Sequence, residues 1–187
     1  MSFIQTGQWQ AHDATGRRKY IDSEERRRFL AAADRLSPKR RALCYTLDFT
    51  GCRVSEALSM GPHQISPDGK LVLRTLKRRR IMFRVIPIPL HLADMLLALP
   101  PLEDGRFWDL HRATAWRQVS AVMAYAEIEG PMASCKGLRH GFGVRAIAAG
   151  VPQSLVAKWL GHASMATTAI YLDAVGPEER AFARRMW

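Results

Sequence analysis

The chain has 187 residues, 48% of them hydrophobic, with a net charge of +11 at pH 7 and a pI of about 10.3. That length and apolar content suit one folded domain with a full core and exclude wholesale disorder. No apolar run approaches the roughly 20 residues of a membrane span, and Met1-Ser2-Phe3-Ile4-Gln5 lacks the start of a signal peptide, so a cytoplasmic protein is expected. The basic set is dominated by arginine, with only six lysines. A planar guanidinium suits bidentate contact with phosphate, so a polyanionic partner is expected. Cys44, Cys52 and Cys135 form no C-x-x-C pair and the histidines show no metal-ligand spacing, so no metal centre is expected; Cys44 and Cys52 read as small core residues.

Residues 1–20 lack periodicity and end in Gly16-Arg17-Arg18-Lys19-Tyr20. They read as a basic arm, ordered only on DNA or against a neighbour, with Arg17, Arg18 and Lys19 as DNA contacts. Ser23 reads as an N-cap before Glu24-Glu25, opening a helix to about residue 36. Pro38 suits the first position of the next helix, Gly51 interrupts it, and helical character resumes through Arg53-Val54-Ser55-Glu56-Ala57-Leu58.

Asp68-Gly69 is a turn signal, and 70–76 and 81–86 read as two strands. Lys77-Arg78-Arg79-Arg80 forms a cationic tip between them. Helices are predicted at 89–99, 113–129, 136–149, 152–160 and 164–173, punctuated by Gly130-Pro131, Gly150, Pro152, Gly161 and Ser164. Trp159 and Leu155 read as core, and His140 as a hydrogen-bonded packing residue. The expected fold is mainly α with a small antiparallel β-sheet, closed by an amphipathic tail, 176–187, carrying Phe182, Met186 and Trp187.

Lys136 and Arg139, three positions apart, share one helical face. His162 follows the break at Gly161, and Tyr171 lies nine positions after it. A tyrosine hydroxyl has a pKa of about 10. To attack a phosphodiester it needs cations on the non-bridging oxygens, a proton acceptor, and an acid for the leaving oxygen. Arg53, beside a helix break, and Lys77, on the hairpin tip, are further candidates for those roles.

Thr50-Gly51-Cys52-Arg53-Val54-Ser55-Glu56-Ala57-Leu58 resembles the first arginine box of the tyrosine recombinases, the phage integrase family. Gly137-Leu138-Arg139-His140-Gly141-Phe142 resembles their second arginine box. Leu160-Gly161-His162-Ala163-Ser164 with Thr167-Thr168-Ala169-Ile170-Tyr171 resembles the histidine box and nucleophile. The resemblance covers 21–175, effectively the family's catalytic domain.

It implies that Tyr171 forms a 3′-phosphotyrosine and that Arg53 and Arg139 bind the non-bridging oxygens. His162 would hydrogen-bond one of those oxygens, and Lys77 would protonate the leaving 5′ oxygen. No cofactor or metal is implied. Lys136 stands where the family most often has histidine, as a proton acceptor or one more phosphate cation. Arg78, Arg79 and Arg80 would add DNA contacts.

The expected partner is double-stranded DNA, with self-association on it. Most family members carry an N-terminal core-binding domain, whereas about 20 residues precede the resemblance here. DNA grip would then rest on the arm, on oligomers or on a separate helper protein, and the tail would dock on a neighbouring protomer. The function so implied is site-specific recombination of mobile or plasmid DNA. The alternatives are a type IB topoisomerase-like relaxing enzyme, suggested by Lys136, and a catalytically weak DNA-binding protein that kept the fold.

Overall fold

The computed structural model describes residues 11–75, 82–172, 183 and 184. Helix α1 (Ser23–Ala33) begins on Ser23, the residue expected to cap it, and the cap is Asp22, one residue earlier. The Asp22 carboxylate accepts from the Glu25 amide at 2.8 Å, and the Glu25 carboxylate accepts from the Asp22 amide at 2.9 Å. This reciprocal arrangement satisfies two otherwise orphaned amides. Helix α2 (Pro38–Thr50) begins on its proline and stops at Gly51, whose φ of 59° is left-handed. A side chain there would also collide with Leu160 and Phe142 at 2.8 Å. The chain therefore turns sharply against the end of another helix, which a larger residue would block. Helix α3 (Val54–Leu58) follows with Arg53 at its N-cap, and a 3₁₀ turn, Pro62–Gln64, leads into the sheet.

The sheet has three antiparallel strands in sequence order: β1 (Ile65–Ser66), β2 (Lys70–Thr75) and β3 (Met82–Pro87). The short β1 pairs across the Asp68-Gly69 turn and was not expected from the sequence; two residues carry no alternation to detect. Leu71 and Ile86 are paired and fully buried, and Val72 is paired with Val85 on the opposite face. Residues 76–81, with the expected tip Lys77-Arg78-Arg79-Arg80, lie outside the described residues.

Helices α4 (Leu90–Leu97), α5 (Arg112–Tyr125), α6 (Cys135–Ala148), α7 (Gln153–Leu160) and α8 (Ala166–Ala169) complete the chain. One core runs from Phe29 through Leu43, Leu47, Leu92 and Trp108 to Leu138. A smaller cluster gathers Ala11, Tyr20, Val144, Val156, Leu160 and Tyr171. Among the described residues no helix is long and apolar enough to cross a membrane.

Four expectations change. The arm does not await a partner from Ala11 onward: His12 bridges Arg18, and Ala11 and Tyr20 are buried in the smaller cluster. Its turn is held by the Asp13 carboxylate, which accepts from the Thr15 and Arg17 amides. Helix α5 ends four residues early, because Glu127 takes a positive φ of 54° and the chain turns before Gly130. Helix α8 is a single turn, and Tyr171 lies in the turn after it. Leu155 is exposed at 39%, on the solvent side of α7, whereas Trp159 is half-buried. In the tail only residues 183 and 184 are described, so the calls on Phe182, Met186 and Trp187 lie outside the described residues.

Candidate active site

Helix α6 places two of the expected cations. Ser134 caps it, its hydroxyl accepting from the Gly137 amide at 3.1 Å, which brings Lys136 and Arg139 onto the first turn. The Arg139 guanidinium donates to the carbonyls of Gly51 and Leu160, both at 2.7 Å. These are the carbonyls where α2 and α7 end, so one side chain joins two helix stops. Burial and the neighbouring Arg53 lower the Arg139 pKa to about 10, which leaves it charged at neutral pH. Lys136 is exposed by area, yet desolvation of its ammonium and the nearby Lys19 still lower its pKa. Both effects disfavour the charged form.

Arg53 is brought to the same place by the α2–α3 break. Its guanidinium donates to Glu56 Oε1 at 2.9 Å, and its amide donates to Glu56 Oε2 at 2.9 Å. The Glu56 side chain is fully buried and also pairs with Arg84 of β3 at 2.6 Å. Burial pushes the Glu56 carboxyl up, but the Arg84 and Arg53 contacts outweigh it and hold the carboxyl below its usual range. Arg84 further donates to Thr75 Oγ1 at 2.9 Å and to the Trp159 carbonyl at 2.8 Å. A cleft of about 830 Å³ opens between these elements, lined by Arg53, Arg112, Trp116, Lys136, Arg139 and His140.

His162 and Tyr171 lie together behind it. His162 Nδ1 is 2.7 Å from the hydroxyl of Thr168, itself fully buried, which fixes the imidazole. The rings of His162 and Tyr171 are stacked, with centroids 6.2 Å apart and planes 25° apart. His140 meets the Tyr171 ring edge-on, with centroids 5.7 Å apart. The tyrosine ring lies so close to α6 that a Cβ on Gly143 would come within 2.4 Å of it. Tyr171 is only 3% exposed. Burial raises its hydroxyl pKa to about 12, against the pull of Arg139 and Arg53. Burial and the surrounding cations lower both His140 and His162 to about 3, so both rings are neutral at pH 7. Neither nitrogen of His140 has a hydrogen-bond partner among the described residues, so the expected hydrogen-bonded packing role reduces to packing alone.

Arg53, Lys136 and Arg139 thus converge on one cleft, with His162 and Tyr171 at its back. Lys77, Arg78, Arg79 and Arg80 lie outside the described residues. Arg17 is paired with Asp13 at 3.1 Å, and Arg18 with Glu25 at 2.9 Å and Asp22 at 2.7 Å. Lys19 adds its charge near Lys136 and His140. Reading by motif missed Arg84, Arg112 and Trp116. Arg84 stood in a strand pattern among apolar residues, where a buried arginine is a signal in itself. Arg112 and Trp116 sit one helical turn apart on α5, a spacing no box marks. Among the described residues no group of three or more His, Cys, Asp or Glu could hold a metal ion.

Residues 106–175 match the model of the phage integrase family. Over 58 residues the chain is 40% identical to the Sinorhizobium fredii protein named "Putative integrase/recombinase y4rC", which covers 31% of this chain and 17% of that protein. The fold is similar to that of XerA recombinase, with a TM-score of 0.75 at 22% identity, covering 89% of this chain and 64% of that one. It is also similar to XerH recombinase on a palindromic difH substrate, with a TM-score of 0.75 at 20% identity over 94% of this chain and 61% of that one. The catalytic domain of bacteriophage HP1 integrase matches with a TM-score of 0.66 at 26% identity, over 88% of this chain and 93% of that domain. The chain therefore spans less than two thirds of the Sinorhizobium protein and of XerA, but nearly all of the HP1 catalytic domain. The family match takes in α5 to Tyr171, and the fold is similar to those of these recombinase and integrase structures, the HP1 catalytic domain among them.

Proposed function

We propose that the protein cuts and rejoins double-stranded DNA at specific sites through a phosphotyrosine intermediate. The observation that carries this reading is the convergence of Arg53, Lys136 and Arg139 on one cleft, with the His162–Tyr171 stack behind it. The scissile phosphate would lie in the cleft, its non-bridging oxygens on Arg53 and Arg139. With the Thr168 hydroxyl donating to Nδ1, the neutral His162 ring carries its proton on Nε2 and donates it to one of those oxygens. The Tyr171 oxygen attacks phosphorus as the bond to the 5′ oxygen breaks. Its proton passes to Lys136, whose lowered pKa is the direction an acceptor needs. Lys77 protonates the leaving 5′ oxygen. The phosphotyrosine keeps the energy of the phosphodiester, so attack by a 5′ hydroxyl reverses the step without a nucleotide cofactor.

Tyr171 is buried here, so attack follows a shift of the single-turn α8 segment that holds it. XerH was solved on a palindromic substrate. A palindrome offers two equivalent half-sites, so assembly of further copies on inverted repeats belongs to the same reading, with mobile or plasmid DNA as the setting. Nicked suicide duplexes made from DNA flanking the coding region should trap a covalent adduct that Tyr171→Phe abolishes. No adduct on any duplex, including a random-sequence pool, would overturn the reading. Relaxation of arbitrary supercoiled plasmid without strand exchange would instead favour the topoisomerase-like alternative that Lys136 suggests.

A further inference from the structure

We propose that Arg84 is the positioning residue of this site, holding Arg53 and the α7 stop in register without touching the DNA; this rests on the function proposed above. Its side chain is 5% exposed and does not line the cleft. A guanidinium has five N–H donors in a rigid fork. Here Nε donates to the Trp159 carbonyl at 2.8 Å, and Nη1 donates to Thr75 Oγ1 at 2.9 Å and to Glu56 Oε1 at 3.3 Å. Nη2 donates to Glu56 Oε2 at 2.6 Å. The three partners come from β2, the first turn of α3 and the last turn of α7.

Two of these partners, Glu56 and Trp159, are each one step from a residue of the phosphate site. Glu56 holds Arg53 by side chain and backbone. Trp159 precedes Leu160, whose carbonyl receives Arg139, and then Gly161 and His162. The guanidinium also packs on Gly161: a Cβ there would lie 3.1 Å from Arg84 Cζ. Because Glu56 is fully buried, its charge must be matched. Arg84 matches it with two nitrogens, so Arg53 commits a single side-chain nitrogen to Glu56 while it lines the cleft. Without Arg84, Arg53 would be the remaining partner of a buried carboxylate and would be drawn toward it, away from the phosphate. The end of α7 would lose its tie to the sheet in the same step.

The test compares a normal scissile phosphate with a methylphosphonate at the same position, in the nicked duplex that the wild-type protein captures from a random-sequence pool. Replacing one charged oxygen by a methyl group lowers the demand for a cation. If Arg84 acts by aiming Arg53, Arg84→Lys lowers the single-turnover rate of adduct formation at saturating DNA by about 10²-fold on phosphate. On methylphosphonate the loss shrinks several-fold, and DNA affinity stays within a few-fold. Glu56→Met with Arg84→Met is the second variant. It replaces a buried ion pair by apolar groups, which tends to keep stability, and it should show the same substrate contrast. Equal losses on both substrates, tracking a lower melting temperature, would mean a merely structural role and overturn the proposal. So would wild-type rates in either variant. A wild-type protein with no Tyr171-dependent adduct would overturn the function itself, and this role with it.

Discussion

Tyr171 touches two histidine rings; burial keeps both imidazoles neutral at pH 7 and raises the tyrosine hydroxyl to about 12. The consequence for stability follows from where the protons go. His140 and His162 have folded pKa values near 3 against 6.5 in the unfolded chain. Between those values the unfolded chain binds more protons, so stability falls as pH drops below about 6.5 and levels off near 3. Each ring contributes a slope of at most about 1.4 kcal/mol per pH unit. Urea unfolding at pH 7 and pH 4.5 should show the loss. His140→Phe should keep neutral stability within about 1.5 kcal/mol, since the site is already apolar in its contacts, and should flatten the acid limb. An unchanged acid limb would mean that His140 is not the buried neutral group. Gly143→Ala tests the same pocket by volume. A methyl group would sit inside the Tyr171 ring, and overpacking of this kind costs about 1–3 kcal/mol.

At the scale of elements, two half-buried arginines tie α1 and α6 to a buried carboxylate of α2. The fully buried Asp48 carboxylate of α2 accepts from Arg26 of α1 at 2.7 Å and from Arg145 of α6 at 3.0 Å. Arg145 also donates to the Asp48 carbonyl at 3.0 Å. Asp48→Ala would leave two cations facing each other across the α1–α2–α6 junction, with an expected loss of about 3–5 kcal/mol in chemical denaturation. Arg26→Ala, which leaves Arg145 on Asp48, should cost less. The runs Arg26-Arg27-Arg28 and Lys39-Arg40-Arg41 read equally well in the sequence as solvated faces or phosphate contacts. In the structure Arg26 meets Asp48, Arg27 meets Glu24, Arg28 donates to the Ala126 carbonyl, and Arg41 meets Asp34. Arg26, Arg27, Arg28 and Arg41 are therefore engaged by groups of the same chain.

At the scale of the whole molecule, the function proposed above predicts that this chain of net charge +11 loses DNA affinity steeply as salt rises. The slope depends on cations that reach phosphates, and intramolecular pairing divides them. Arg112→Ala, in the lining of the cleft, should lower the slope of log affinity against log salt by about one contact. Arg18→Ala should leave the slope nearly unchanged and lower stability, because Arg18 is engaged by Asp22 and Glu25. Fluorescence anisotropy on one duplex across a salt series measures both. An equal drop in slope for Arg18→Ala would place the N-terminal turn on DNA.

The boxes around Arg53, Arg139, His162 and Tyr171 could be read without coordinates. Local chemistry sets a helix stop at Gly51, another at Gly161 and a shared face for Lys136 and Arg139, and such chemistry is written in neighbouring residues. The mainly helical fold with a small antiparallel sheet was legible for the same reason, since capping residues, prolines and strand patterns act over a few positions. The sequence alone determined those elements and the set of groups available for phosphate chemistry. Only the tertiary structure decided that Arg84 reaches Glu56 and Trp159, that Asp48 absorbs two arginines, and that Tyr171 rests buried against His140. Those outcomes depend on contacts between residues tens of positions apart, whose burial and charge pairing exist only once the chain has closed on itself.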